Sequence, residues 1–216
     1  METTPLANVR RSLALAVGEN AVFDGWTPAA VASAAAAANV DPAVAALAFG
    51  DKPATMIAAY LEAIDAALET AFPPEAIAAM RVSQRIRAIL LKRFELMQPA
   101  RESVRTSLAI MARPHNLLAT TRLGWASADA MWRIAGDTTT DFNHYSKRAI
   151  LASIVAATAL VWIDDDSEGA AATTAFIDRR LAGVARFEKT KAQWTGSAER
   201  RPSLARFVGR LRYPPT

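Results

Sequence analysis

Two histidines, His115 and His144, are the only imidazoles in the chain, and one of them stands in a spacing that can bind metal. Asp141-Phe-Asn-His144 is a carboxylate-x-x-His step, which on a helix puts both ligands on one face, as in di-iron four-helix bundles. Such a site needs a second step of the same kind and two further glutamates. His115 is preceded three residues earlier by Ala112, so the second set is missing and the metal reading fails. Asp164-Asp165-Asp166-Ser167 begins like a calcium loop but lacks its glycine and terminal glutamate. It reads as a solvated loop and helix cap. His115, in Arg113-Pro-His-Asn116, reads as part of a helix start with Asn116 as the cap. No serine elbow or phosphate-binding glycine loop is present. The absence of cysteine removes thiolate chemistry and cysteine-ligated metal. The sequence therefore points to no enzyme activity and calls for no cofactor.

Binding chemistry is better represented. Asp129–Arg148, D-A-M-W-R-I-A-G-D-T-T-T-D-F-N-H-Y-S-K-R, sets aromatic and charged side chains around one helix–helix corner. Ala135-Gly136-Asp137 ends the first helix, glycine accepting a left-handed backbone at least cost. Thr138 and Asp141 stand in capping-box spacing to begin the next. Met131, Trp132, His144, Tyr145, Lys147 and Arg148 gather at this corner, which is either a stiff packing joint or a partner surface. A second group is apolar: Ile86, Ile89, Leu90, Phe94, Trp125, Trp132, Phe142, Leu160 and Trp162, opposite small residues such as Ala126, Ala152 and Ala156. It fits an ordinary core and equally a pocket for an elongated apolar ligand. A third lies at the C-terminus. Leu204, Phe207, Val208 and Leu211 form an i, i+3, i+4, i+7 stripe, with Arg200, Arg201, Arg206, Arg210 and Arg212 mainly off it. That pattern suits a helix lying in a membrane interface, or one docked on the bundle with solvated arginines.

These groups need helices to hold them, and the sequence supplies little else. Of the 216 residues 52% are hydrophobic, many of them alanine, and β-branched runs are short, so the expected fold is all-α with about nine to ten helices. Capping and breaker signals place helices at Leu6–Val22, Pro28–Ala38, Pro42–Ala48, Ala54–Phe72, Glu75–Met97, Ala100–Ala112, His115–Ala135, Thr138–Ile163 and Ala171–Trp194, then a short basic helix at Pro202–Leu211. The expected divisions are a helix-turn-helix-like module at 1–53, a helical lipid-binding and dimerisation domain at 54–195, and a basic amphipathic segment at 196–216. Charge is uneven: residues 177–216 hold ten Lys/Arg against three Asp/Glu, residues 1–176 fifteen against eighteen. Attraction to anionic lipid is therefore expected at the tail. No signal-peptide pattern is read at the N-terminus, and the longest apolar run, Ala149–Ile163, is short of a membrane span. A soluble, at most peripherally membrane-bound protein is expected.

The first three helices, with their Gly25-Trp26 turn and Thr27 cap, resemble the N-terminal module of TetR-type repressors. There the short third helix enters the DNA major groove. Here it is Asp41-Pro-Ala-Val-Ala-Ala-Leu-Ala-Phe-Gly50, without a Lys, Arg, Asn or Gln to meet phosphates or bases. The shape is expected without nucleic-acid binding. A ligand-responsive repressor of that type remains the alternative reading.

The corner carries the longer resemblance. Asp129-x-x-Trp132-x-x-Ala135-Gly136-Asp137-x-x-Thr140-Asp141-Phe142-Asn143-x-Tyr145-x-x-Arg148-Ala149-x-Leu151-Ala152 resembles the signature of the Coq-nine family, accessory proteins of ubiquinone biosynthesis. Gly25-Trp26-Thr27, Pro114-His115-Asn116, Thr158-x-Leu160, Asp166-Ser167 and Phe176-x-x-x-Arg180 extend it over about Val9 to Arg186. The resemblance implies a TetR-like bundle that does not bind DNA and acts without catalysis. It implies a site for isoprenoid quinone or phospholipid, which maps onto Leu90, Phe94, Trp125, Trp132, Phe142, Ala156 and Leu160. It implies a demethoxyubiquinone hydroxylase-type partner, met by Met131, Asp141, His144, Tyr145 and Arg148. It also implies membrane contact through Arg201, Leu204, Phe207, Val208, Arg210 and Leu211. A homodimer is expected by analogy with TetR-like bundles, and a bacterial member on the cytoplasmic face of the inner membrane fits best. Asn143-His144-Tyr145 departs from the family's frequent Asn-Trp-Tyr, which softens one hydrophobic anchor. Thr174 stands where a tryptophan is common.

Overall fold

Prolines begin the first five helices, the position where a missing N–H costs nothing. The computed structural model describes residues 4–137 and 142–198, with side chains left out at 142–143 and 188–198. The helices are α1 (Pro5–Asp24), α2 (Pro28–Ala37), α3 (Pro42–Phe49), α4 (Pro53–Ala71), α5 (Pro74–Ile77), α6 (Val82–Met97), α7 (Arg101–Met111), α8 (Leu117–Ile134), α9 (Phe142–Trp162) and α10 (Ala171–Ala198). No strand occurs among the described residues, and the all-α expectation holds. Thr4, Thr27 and Asp41 cap α1, α2 and α3 by accepting from Ala7, Ala29 and Ala43 backbone N–H groups at 3.3, 3.3 and 2.8 Å. None of the described helices is long and apolar enough to cross a membrane.

Two compact units divide the chain, Met1–Ile177 and Asp178–Thr216. Within the first, the helix-turn-helix-like part is joined firmly to the bundle. The indole of Trp26, buried after the α1 turn, donates to the Ser103 carbonyl on α7 at 2.8 Å and meets the Tyr60 ring of α4 with centroids 5.7 Å apart. Ser103 Oγ donates in turn to the Gly18 carbonyl of α1 at 2.5 Å. Gly18 lets Tyr60 lie against the α1 backbone, since a Cβ there would stand 2.3 Å from Tyr60 Cδ2. In the second unit α10 continues to Ala198, with Arg179, Arg180, Arg186 and Phe187 exposed.

Two local expectations need correction. The helix expected over Glu75–Met97 is broken at 78–81. The Arg85 guanidinium explains the break: it donates to the carbonyls of Ala78, Met80 and Ala135 at 3.1, 2.9 and 2.9 Å, replacing helical partners by a link to the end of α8. Asn116 stands at the N-cap position of α8, but its side chain makes no cap hydrogen bond. Its amide donates backwards to the Ile110 carbonyl at 2.9 Å, and Thr120 Oγ1 donates to that of Met111 at 2.7 Å, closing the α7–α8 turn.

Candidate functional site

Helix α8 ends as its sequence requires. Gly136 has φ +83°, the Asp137 N–H donates to the Trp132 carbonyl and the Gly136 N–H to that of Arg133, both at 2.9 Å. This paired closure satisfies the last carbonyls and turns the chain toward α9. The corner beyond it is tied by charge. Arg148 of α9 reaches back to α8, its Nε 2.6 Å from Asp129 Oδ1 and its Nη1 3.4 Å from Asp137 Oδ2 and 3.1 Å from the His144 carbonyl. Lys147 Nζ lies 2.8 Å from Asp137 Oδ1 and 5.3 Å from the Trp132 ring centroid, while the Trp132 indole donates to the Lys147 carbonyl at 3.1 Å. A cation over an indole face adds to the hold.

Two expected partner residues therefore point inward. Met131 is fully buried, and Arg148 is consumed in binding α9 to α8. An arginine flanked by Asp129 on α8 and Asp137 in the turn after it is placed to neutralise them, which is why it turns into the joint. Tyr145 remains outward, 61% exposed, with its ring 5.9 Å from Trp125 and 5.2 Å from His144. Asp141 lies outside the described residues. The corner is a joint whose outer face is the aromatic patch Trp125–His144–Tyr145.

The apolar site lies elsewhere on the same helices. A groove of about 150 Å³ is lined by α4 (Ile57, Leu61), α6 (Phe94, Met97), α7 (Val104, Leu108, Met111), α8 (Leu123, Gly124, Ser127) and α9 (Ala152, Val155, Ala156, Ala159), with Arg93 also in its wall. Of the expected lipid residues it contains Phe94 and Ala156. The rest differ. Leu90 is sealed in the core behind it, and Trp125 and Trp132 belong to the corner. Leu160 is 60% exposed, one turn from Ala156 and on the outer face. The side chain of Phe142 and all the tail residues Arg201, Leu204, Phe207, Val208, Arg210 and Leu211 lie outside the description. The seven residues assigned to the lipid site include none from α4 or α7, whose apolar residues look like any core. Nor do they include Gly124, whose lack of a side chain leaves open space within 4 Å.

The groove is not wholly apolar. Arg93 is paired with Asp65, and its Nη2 lies 3.3 Å from Ser127 Oγ, which donates to Asp65 Oδ2 at 2.6 Å. Three helices thus contribute one closed polar cluster. A wider cleft of about 680 Å³ lies near Gln98, Arg101, Trp162 and Asp165, and its Arg101 and Asp165 are engaged internally. Arg101 donates to the Ile163 carbonyl and to Asp166, and Asp165 accepts from the backbone and side chains of Ser167 and Thr173. Burial pushes the Asp165 carboxyl up, but these hydrogen bonds outweigh it and hold the group well below the usual carboxylate range. No cluster of three His, Cys, Asp or Glu able to hold a metal occurs among the described residues.

Fold and site together define a TetR-like helical bundle with an apolar groove in its larger part. The crystal structure of a TetR transcriptional regulator from Nitrosomonas europaea ATCC 19718 is similar to it, with a TM-score of 0.62 and 18% identity over 84% of this chain and 99% of that one. Residues 118–188 match the COQ9 family model, a span that takes in nearly all of α8, the corner and α9. The mitochondrial ubiquinone biosynthesis protein COQ9 of Bos taurus is 28% identical over 182 residues, and that of Rattus norvegicus 29%. Each match covers 81% of this chain, but 57% of the bovine and 58% of the rat protein, so the chain spans less than three fifths of these relatives.

Proposed function

We propose that the protein is a non-catalytic, lipid-binding accessory protein of ubiquinone biosynthesis, which takes up isoprenoid quinone intermediates at a membrane and presents them to a partner hydroxylase. The observation that carries this reading is the apolar groove, half of whose wall comes from the helices that match the COQ9 model. Similarity to COQ9 proteins named for ubiquinone biosynthesis supplies the pathway. Hiding an isoprenoid chain in such a groove is worth about 25 cal/mol per Å² of apolar area removed from water. An isoprenoid tail is longer than the groove, and Ala156 at its exposed rim, with Leu160 one turn on, gives that tail an apolar path outward.

The partner surface is the aromatic patch around Tyr145, and the basic C-terminal stripe Leu204–Leu211 supplies membrane attachment on the cytoplasmic face of a bacterial inner membrane. Organic extraction of the purified protein followed by mass spectrometry tests the lipid role. A quinone or phospholipid recovered in near-stoichiometric amount is expected. Its absence, with no uptake from vesicles, contradicts the reading.

A TetR-type repressor is the second reading, favoured by the fold likeness. On α3 the exposed side chains are Pro42, Ala43, Ala46 and Leu47, none of which can neutralise a phosphate. A mobility-shift assay separates the two: sequence-specific DNA binding at nanomolar protein favours the repressor.

A further inference from the structure

We propose that the turn between α7 and α8 is a membrane-insertion tip: Leu117 and Leu118 enter an anionic lipid surface, and Arg113 and Arg122 meet its phosphates. This contact is separate from the basic C-terminal stripe, and it stands whatever the groove holds. Exposure is the first argument. From Ala112 to Arg122 every residue is exposed except the half-buried Asn116, Ala119 and Thr120, so the turn projects from the bundle. Leu117 and Leu118 are 53% and 64% exposed. Single surface leucines are ordinary, but two side by side at a projecting turn leave apolar area in water unless something covers it.

Charge decides what covers it. Between Glu102 and Asp129 the sequence holds Arg105, Arg113, His115 and Arg122, and no Asp or Glu. Arg105 is engaged with Glu102 and Asp164, whereas the side chains of Arg113, His115 and Arg122 make no hydrogen bond or ion pair among the described residues. No side chain caps α8, so the positive end of its dipole adds to the same field. A nucleic acid would use the cations but leave the leucines in water, and a second copy of the turn would set arginine against arginine. An anionic bilayer interface takes both, with apolar side chains below the headgroups and guanidinium groups among them. The backbone suits such a place. Asn116 Nδ2 donates to the Ile110 carbonyl at 2.9 Å and Thr120 Oγ1 to that of Met111 at 2.7 Å, so these carbonyls at the end of α7 are satisfied without water.

The chain has no cysteine, so Leu118→Cys carries a single nitrobenzoxadiazole label on the full chain. On vesicles of phosphatidylcholine with phosphatidylglycerol, its emission is expected to shift to the blue and to be quenched by doxyl-labelled lipid. Vesicles of phosphatidylcholine alone should give less of both. Without the label, Arg113→Gln/Arg122→Gln should weaken sedimentation with the anionic vesicles about fivefold for each cation removed. Leu117→Gln/Leu118→Gln should weaken it at least about tenfold. All four positions are exposed, and circular dichroism checks that the variants keep the wild-type fold. Sedimentation with an unshifted label overturns the tip and leaves attachment through Leu204–Leu211 standing. An equal shift on both kinds of vesicle overturns the anionic surface. Failure to sediment with either removes membrane attachment altogether, the tip included. The label decides the matter even if the glutamine variants fail to fold.

Discussion

Arg148→Met tests whether the corner is a joint. Methionine keeps most of the aliphatic stem but removes the charge that links α9 to Asp129 and Asp137 on the α8 side. Breaking a buried pair from one side costs about 3–5 kcal/mol because the other charge is left behind. Two features reduce that here. The Asp129 side chain is 33% exposed and can rehydrate, and Asp137, only 6% exposed, keeps Lys147 at 2.8 Å. The low end, about 3 kcal/mol, is therefore expected. For a chain of this length each kcal/mol shifts Tm by roughly 2–4 °C, so melting by circular dichroism should fall by about 6–12 °C. A single variant melting within about 2 °C of wild type would refute the reasoning. Arg148 would then hold little and would return to the partner surface.

Tyr145→Ala should behave oppositely, costing less than about 1 kcal/mol because the ring is mostly solvated, yet weakening capture of a partner hydroxylase in a pull-down. A large loss of Tm there would make Tyr145 part of the joint. Gly18→Ala gains about 1 kcal/mol of helix propensity. It also forces a Cβ to 2.3 Å from a Tyr60 ring held by Trp26, and overpacking of that kind costs about 1–3 kcal/mol, so urea denaturation should show a net loss. A gain in stability would show that the α1–α4 contact yields. Asp165 has a depressed folded value, so its contribution is present above the ordinary carboxylate value of about 3.9 and is lost as pH falls through the lower folded one. Asp165→Asn should be less stable than wild type at pH 7, and the gap should shrink below about pH 4. A gap independent of pH would place the effect in shape rather than charge.

Most helices were legible because local chemistry and tertiary need agree. Thr27-Pro28 and Asp41-Pro42 carry cap and first-turn residue side by side, and Gly136 marks its own left-handed turn. The break at 78–81 was not legible, because no breaker stands in Ala78-Ala-Met-Arg81 and its cause, Arg85 reaching Ala135, lies fifty residues away. The same limit governs the site. A list of apolar residues cannot distinguish Leu90, sealed in the core, from Phe94, which lines the groove four residues later. Nor does charge alone show that Arg148 and Arg93 point inward, since each is drawn in by an aspartate on a different helix. Gly124 had a signal that went unread: a glycine inside an otherwise strong helix has a packing or functional reason.

That glycine allows the most direct test. Gly124→Leu places a side chain in open space on the groove wall and replaces a poor helix former, so the variant should fold at least as stably as wild type. Filling the groove should at the same time abolish quinone uptake from vesicles containing ubiquinone. Retained stability with lost uptake is the expected pair of results. Retained stability with undiminished uptake would mean that the groove between α4, α6, α7, α8 and α9 is not where the lipid binds.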